Sequence, residues 1–182
     1  LPDGSTELRV LQSGAWKKVA FWGPDEQGGA HGFTPDNKRI YLETSLGADT
    51  TRLIELDYST GEERDIFRHP EVDIGPVLFH PTTFLCQAVG FEPALLEWLV
   101  LDESIVEDFK ALGEACDGDF RVISRDDADR WWVAQFVVDD GSPRYYLYDR
   151  RTRKARFLFA TRPELEGRPL GKMLPESIQA RD

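Results

Sequence analysis

The sequence predicts an all-β fold: a partial β-propeller of about three and a half four-stranded antiparallel blades, with one short inserted helix. Three observations carry this reading. An internal repeat of about 45 residues runs along the chain. Within each copy, short segments alternate apolar and polar residues with the period of two that a half-buried strand requires. Asp, Asn and Gly turns separate these segments, and four such strands in a span of this length are the unit of a propeller blade.

The repeat is seen by aligning the chain with itself. In "GFTPDNKRIYL" (32–42) and "LFHPTTFLCQA" (78–88), Phe33 matches Phe79 and Pro35 matches Pro81, each 46 positions apart. In "LDYSTGEERDIF" (56–67) and "YDRRTRKARFLF" (148–159), Asp57 matches Asp149, Thr60 matches Thr152 and Phe67 matches Phe159, at twice that offset. The turn "TPDN" (34–37) reappears as "SRDD" (124–127), and Leu56-Asp57 reappears as Leu101-Asp102.

Taken in order, residues 1–29 supply a partial blade through "ELRVLQ" and "KKVAFW". Residues 30–74 form a blade: "RIYLETS" follows the Asp36-Asn37 turn, and "RLIELDYS" leads through Thr60-Gly61 to "ERDIF". Residues 75–118 form a blade that carries a helix over 104–117, with Ile105, Val106, Phe109, Leu112 and Ala115 on one face and Ser104 as the cap. The helix replaces the outer strand of that blade or decorates the loop beside it, and packing against the blade edge is its expected role. Residues 119–162 form the last blade, with "RWWVAQFVVDD", a Gly-Ser-Pro turn at 141–143, "RYYLYDR" and "ARFLFAT". Residues 163–182 read as a linker, with Pro169 and Pro175 suited to a chain leaving a sheet. An incomplete ring leaves two open sheet ends, so closure needs further blades or a second copy of the chain.

Composition narrows the partners. The chain has 182 residues, 41% hydrophobic, enough for a core. Its formal net charge of −11 argues against a nucleic-acid backbone or an anionic membrane as the main partner. No run of about 18 apolar residues occurs, so no membrane span is expected. Leu1-Pro2-Asp3-Gly4 resembles neither an initiator start nor a signal-peptide n-region, which suggests a processed or excised chain.

The polar residues offer several candidate sites, each with a plainer explanation. Cys86 and Cys116 are expected to be small packed thiols rather than a disulfide. With His31, His69 and His80 they give no zinc spacing, and each histidine adjoins a Gly or Pro turn. Asp126, Asp127 and Asp129, and the pair Asp139-Asp140, fall where turns are wanted rather than in a calcium loop. Glu62-Glu63 reads as a solvated strand edge rather than an amino-terminus-binding pair. Arg144, Arg150, Arg151, Arg153, Lys154 and Arg156, interleaved with Tyr145, Tyr146 and Tyr148, could suggest single-stranded nucleic acid. A wet hairpin with outward arginines suits the acidic chain better. Trp131 and Trp132 fall on opposite faces of one strand, and at least one belongs to the core. No residue is assigned as catalytic, cofactor-binding or metal-binding, and no cofactor is expected.

The chain has no Trp-Asp dipeptide and no recurrent double glycine, the marks of WD40 and kelch blades. "FTPDNKRIYLETSLGADTTRLIELDYSTGE" (33–62) resembles the blades of TolB-like and prolyl-oligopeptidase propellers. The stretch from "VLDESIVEDFKALGEACDGDF" through "RYYLYDRRTRKARFLFATRPELEG" (100–167), running on to "ESIQARD", is similar to the final blades of the N-terminal propeller in bacterial S9 serine peptidases, of acylaminoacyl-peptidase or dipeptidyl-aminopeptidase type. The resemblance implies a linker leading to an α/β-hydrolase domain of the same parent chain. It implies that the propeller caps that domain's active site and restricts which peptides enter. In that family the Ser, Asp and His of the triad all belong to the hydrolase domain, and this chain has no G-x-S-x-G elbow. A different reading of the same blades is a stand-alone TolB-like scaffold for protein–protein interaction, closing its ring by self-association. Peptide preference and compartment, bacterial cytoplasm or periplasm, stay open.

Overall fold

A computed structural model of the chain describes residues 1–176, 178 and 179. Among them the chain forms four antiparallel sheets and a single α-helix, and it divides into two compact units. The first comprises Leu1–Pro93 with Glu97–Leu101. The second comprises Ala94–Leu96 and the chain from Asp102 onward.

The first unit opens with a hairpin of β1 (Thr6–Gln12) and β2 (Ala15–Trp22). Ser13 and Gly14 both have positive φ, 51° and 80°, the conformation of a two-residue turn whose twist matches paired strands. A four-stranded sheet follows in sequence order: β3 (Gly28–Phe33), β4 (Arg39–Thr44), β5 (Arg52–Asp57) and β6 (Glu63–Arg68). Its central strands, β4 and β5, bury apolar side chains on both faces. Ile40, Leu42, Ile54 and Leu56 point one way and pack with Trp22 of the hairpin. Tyr41 and Leu53 point the other way and pack with Ile74, Cys86 and Val89 of the next sheet. That sheet is β7 (Ile74–Phe79), β8 (Cys86–Phe91) and β9 (Glu97–Val100). Face-to-face stacking of small twisted sheets is how propeller blades bury their apolar surface.

Close packing shows at Gly28. A Cβ placed there would lie 2.0 Å from Nε1 of Trp22, so only glycine lets the indole reach the Oγ1 of Thr44, to which it donates a 2.9 Å hydrogen bond.

The sheet β7–β8–β9 has three strands, and the segment after it turns helical. A 3₁₀ turn over Glu103–Ile105 leads into α1 (Val106–Gly113). The expected cap and end are both revised. Asp102, not Ser104, caps the segment, its Oδ1 accepting from the Ser104 amide at 2.9 Å. The helix stops at Gly113 rather than 117, because the ladder tightens: the Ala115 amide bonds back to Leu112 O at 3.0 Å, a three-residue step that leaves α geometry.

The second unit is built on one sheet in sequence order: β10 (Asp119–Arg125), β11 (Trp131–Val137), β12 (Arg144–Asp149) and β13 (Lys154–Ala160). The register pairs Trp132 with Tyr148 and Ala134 with Tyr146, which sets one apolar face. Helix α1 covers that face. The Phe109 ring meets Phe120 edge-on at 5.2 Å and Trp132 at 6.3 Å. Ile105 and Leu112 are fully buried, as are Trp132, Ala134, Phe136 and Tyr148.

Candidate functional site

The residues that sequence reasoning singled out are mostly engaged in turns and edges. Nδ1 of His69 accepts from the amides of Glu71 and Val72, both at 3.2 Å, while its ring stacks on Phe91. His80 repeats this with Thr82 and Thr83 at 3.3 and 3.1 Å. His31 lies 3.4 Å from Glu43 and against Phe79. Glu63 is held by Arg52 at 2.8 Å on β6. Asp140 lies 3.8 Å from Lys172. Asp126 turns its Oδ1 back onto the amides of Arg130 and Trp131, at 2.7 and 2.8 Å. Cys86 and Cys116 are free thiols. Burial, with the Glu55 carboxylate nearby, pushes the Cys86 thiol up to about 12, so it stays protonated and unreactive at neutral pH. Among the described residues no cluster of His, Cys, Asp or Glu is arranged to hold a metal.

One constellation stands apart, where the β10–β11 turn, the β12–β13 turn and the helical segment meet within the second unit. Its centre is Arg150, one residue past β12. Nε donates to Asp108 Oδ2 at 2.8 Å, Nη1 to the Asp129 carbonyl at 3.1 Å and to its carboxylate, and Nη2 to the Ser104 carbonyl at 2.9 Å. Asp108 and Asp129 are only 4% and 6% exposed, so neither carboxylate relies on water. Asp108 also accepts from the Tyr148 hydroxyl at 2.8 Å. Asp129 also accepts from Trp132 Nε1 at 2.8 Å and Arg125 Nη1 at 3.0 Å. The guanidinium carbons of Arg125 and Arg150 lie over the Trp132 ring at 5.2 and 5.0 Å.

Burial, and then the hydrogen bond to Asp108, raise the Tyr148 phenol above its ordinary range, so it remains a neutral donor. Each buried carboxylate is satisfied by cationic or neutral donors, which is what keeps charge tolerable away from water. No hydroxyl or thiol is placed beside a free base here. The arrangement fixes α1 to its sheet and presents a basic rim.

Sequence reasoning placed the arginines of this hairpin facing outward, and Arg150 departs from that. It turns inward because two carboxylates from elements distant in sequence converge on it. Turn chemistry accounts for only part of what Asp129 does, and nothing local in the sequence marks Asp108. A usable signal existed: Arg125, Asp129 and Trp132 stand at spacings of four and three across one tight turn, bringing a cation, an anion and an indole donor together. Trp131 and Trp132 do fall on opposite faces. Trp132 is fully buried, and Trp131 is exposed with the Arg130 guanidinium over it at 4.8 Å.

A hairpin, a four-stranded and a three-stranded antiparallel sheet, stacked face to face with strands in sequence order, define the class: this is a β-propeller segment. The crystal structure of TolB from Acinetobacter baumannii has the same fold, with a TM-score of 0.53 at 13% identity, over 85% of this chain and 37% of that one. No family model matches the chain. Dipeptidyl aminopeptidase BIII of Pseudoxanthomonas mexicana is 32% identical over 190 residues, covering 100% of this chain. Dipeptidyl peptidase family member 6 of Caenorhabditis elegans is 28% identical over 152 residues, covering 82% of it. The chain spans 27% and 20% of the lengths of these relatives. It is a propeller segment similar in sequence to a part of each of these two peptidases.

Proposed function

We propose that the chain is the non-catalytic propeller portion of an S9-type serine peptidase. It works with an α/β-hydrolase domain of the same parent chain, caps that domain's active site, and admits only peptides small or unfolded enough to enter. The carrying observation is the match to a dipeptidyl aminopeptidase over the whole of this chain but only 27% of that protein. Two features support the division of labour. The chain has no G-x-S-x-G elbow, so the nucleophile must come from elsewhere. Its sheets are stacked with both faces of β4 and β5 buried, a stiff framework suited to steric exclusion rather than chemistry. A cap of this kind also shields the reacting bond from water. The relatives' names point to removal of dipeptides from peptide amino termini as the parent's activity.

The test compares the full-length parent with this chain on chromogenic dipeptide amides, then on a ladder of peptides of rising length and a folded protein. Turnover by the parent alone, falling as substrates outgrow the cap, is expected. Turnover by the isolated chain would refute the reading, as would equal rates on short peptides and folded protein. A parent without hydrolase activity would favour the interaction scaffold.

A further inference from the structure

We propose that the basic cleft around Arg150 binds an oxyanionic group, a phosphate or carboxylate. This goes beyond the peptidase reading and does not depend on it. The cleft has a volume of about 330 Å³ and is lined by Arg130, Arg150, Arg151 and Arg153 against two carboxylates, Asp108 and Asp129. A surplus of positive charge in one cleft runs against a chain whose net charge is −11.

The two carboxylates do not cancel the surplus at the cleft mouth. Both are buried and already engaged by Arg150. Arg150 is held by acceptors on three segments, at Ser104, Asp108 and Asp129, and this leaves one of its guanidinium N–H groups unused. The rim arginines are weakly committed. Arg130 reaches Asp149 at 3.4 Å, and Arg153 reaches Glu107 at 3.7 Å with both side chains more than half exposed. The exposed Arg153–Glu107 pair contributes at most about 1 kcal/mol. The Arg151 guanidinium is exposed and makes no ion pair among the described residues. An oxyanion accepting paired N–H bonds from such rim groups, over a preorganised floor, gains the stronger charge-assisted geometry that guanidinium favours. Asp149 and Glu107 are the groups that oppose it, and both are already paired with rim arginines.

The test uses the full chain, with inorganic pyrophosphate and citrate as separate probes at constant ionic strength. Binding is followed by calorimetry and by backbone amide shifts. Saturable binding of at least one probe, with shifts confined to residues 128–130 and 150–153, is expected; which probe binds distinguishes phosphate from carboxylate. R151E combined with R153E should weaken binding at least tenfold, while R162E, at the far end of the hairpin, should leave it unchanged. The varied residues are exposed, so thermal unfolding should be unaltered and loss of binding will not reflect loss of fold. Absence of saturable binding by both probes overturns the proposal, and so does equal binding by wild type and the double variant.

Discussion

Asp129 is the shared acceptor for three donors of the second unit. It sits at a φ of 49°, a conformation that Asp tolerates better than most residues. Its donors are Arg125, Arg150 and Trp132. Removing the carboxylate leaves two guanidiniums and an indole N–H without their shared acceptor. Asp129→Ala should therefore cost about 3–5 kcal/mol, the range for breaking a buried ion pair by deleting one partner. Urea unfolding of the full chain measures it, and a loss below about 1 kcal/mol would show that the network contributes little. Cys86 gives a pH-dependent counterpart. Its folded pKa is raised, so its contribution is complete below the unfolded value of about 8.5 and declines as pH climbs toward about 12. Over that window the unfolded thiol ionises and the buried one does not, which favours unfolding by up to about 1.4 kcal/mol per pH unit. The stability gap between wild type and Cys86→Ala should narrow between pH 8.5 and 10.5. A constant gap would show that the thiol is not sheltered.

At the scale of elements, helix α1 depends on its sheet. With eight residues it is too short to persist alone in water, and no side chain caps its first turn. Phe109 is its main apolar anchor, against Phe120 and Trp132. Phe109→Ala should cost about 3–5 kcal/mol through lost burial and the cavity left behind. Hydrogen exchange should show α1 amides losing protection before those of β11 and β12; uniform loss would mean that the helix is no separate layer. Strands were legible because period-two alternation and turn residues are local signals. The Asp57 turn is one example: its Oδ1 accepts from the amides of Ser59 and Thr60, as the Asp-x-x-Thr-Gly spacing suggests. Helix limits were less legible. The apolar spacing from Ile105 to Leu112 continues to Ala115, yet the chain tightens after Gly113. The hub at Arg150 was hidden for another reason: its carboxylates lie 21 and 42 residues away, and only tertiary packing joins them.

Across the whole molecule, large apolar side chains remain in solvent on strands whose counterparts elsewhere are covered. Trp16 on β2 is 66% exposed and Phe159 on β13 is 53% exposed, with Phe21 and Phe157 also open. Surfaces of this kind are partner sites or association hazards. The isolated chain should therefore self-associate as concentration rises, and Trp16→Lys with Phe159→Lys should shift sedimentation toward monomer. A monomer at all concentrations would show that these faces need no cover. The blade pattern itself was the most legible feature at this scale. Repeats matched at offsets of 46 and 92 carry the propeller class in the sequence itself. Coverage of the outer faces was not legible, because it depends on surface that the 45-residue period does not contain.

The indole of Trp132 gives the second unit a built-in optical gauge. Two guanidiniums lie over it and a carboxylate accepts from its nitrogen, so it sits in a strong local electric field. Emission from an indole responds to such fields. Replacing the chain's other tryptophans, Trp16, Trp22, Trp98 and Trp131, with phenylalanine would leave one chromophore whose colour reports whether Arg150 is still in place. An anion settling beside that arginine would then be visible as a shift in light, with no label attached.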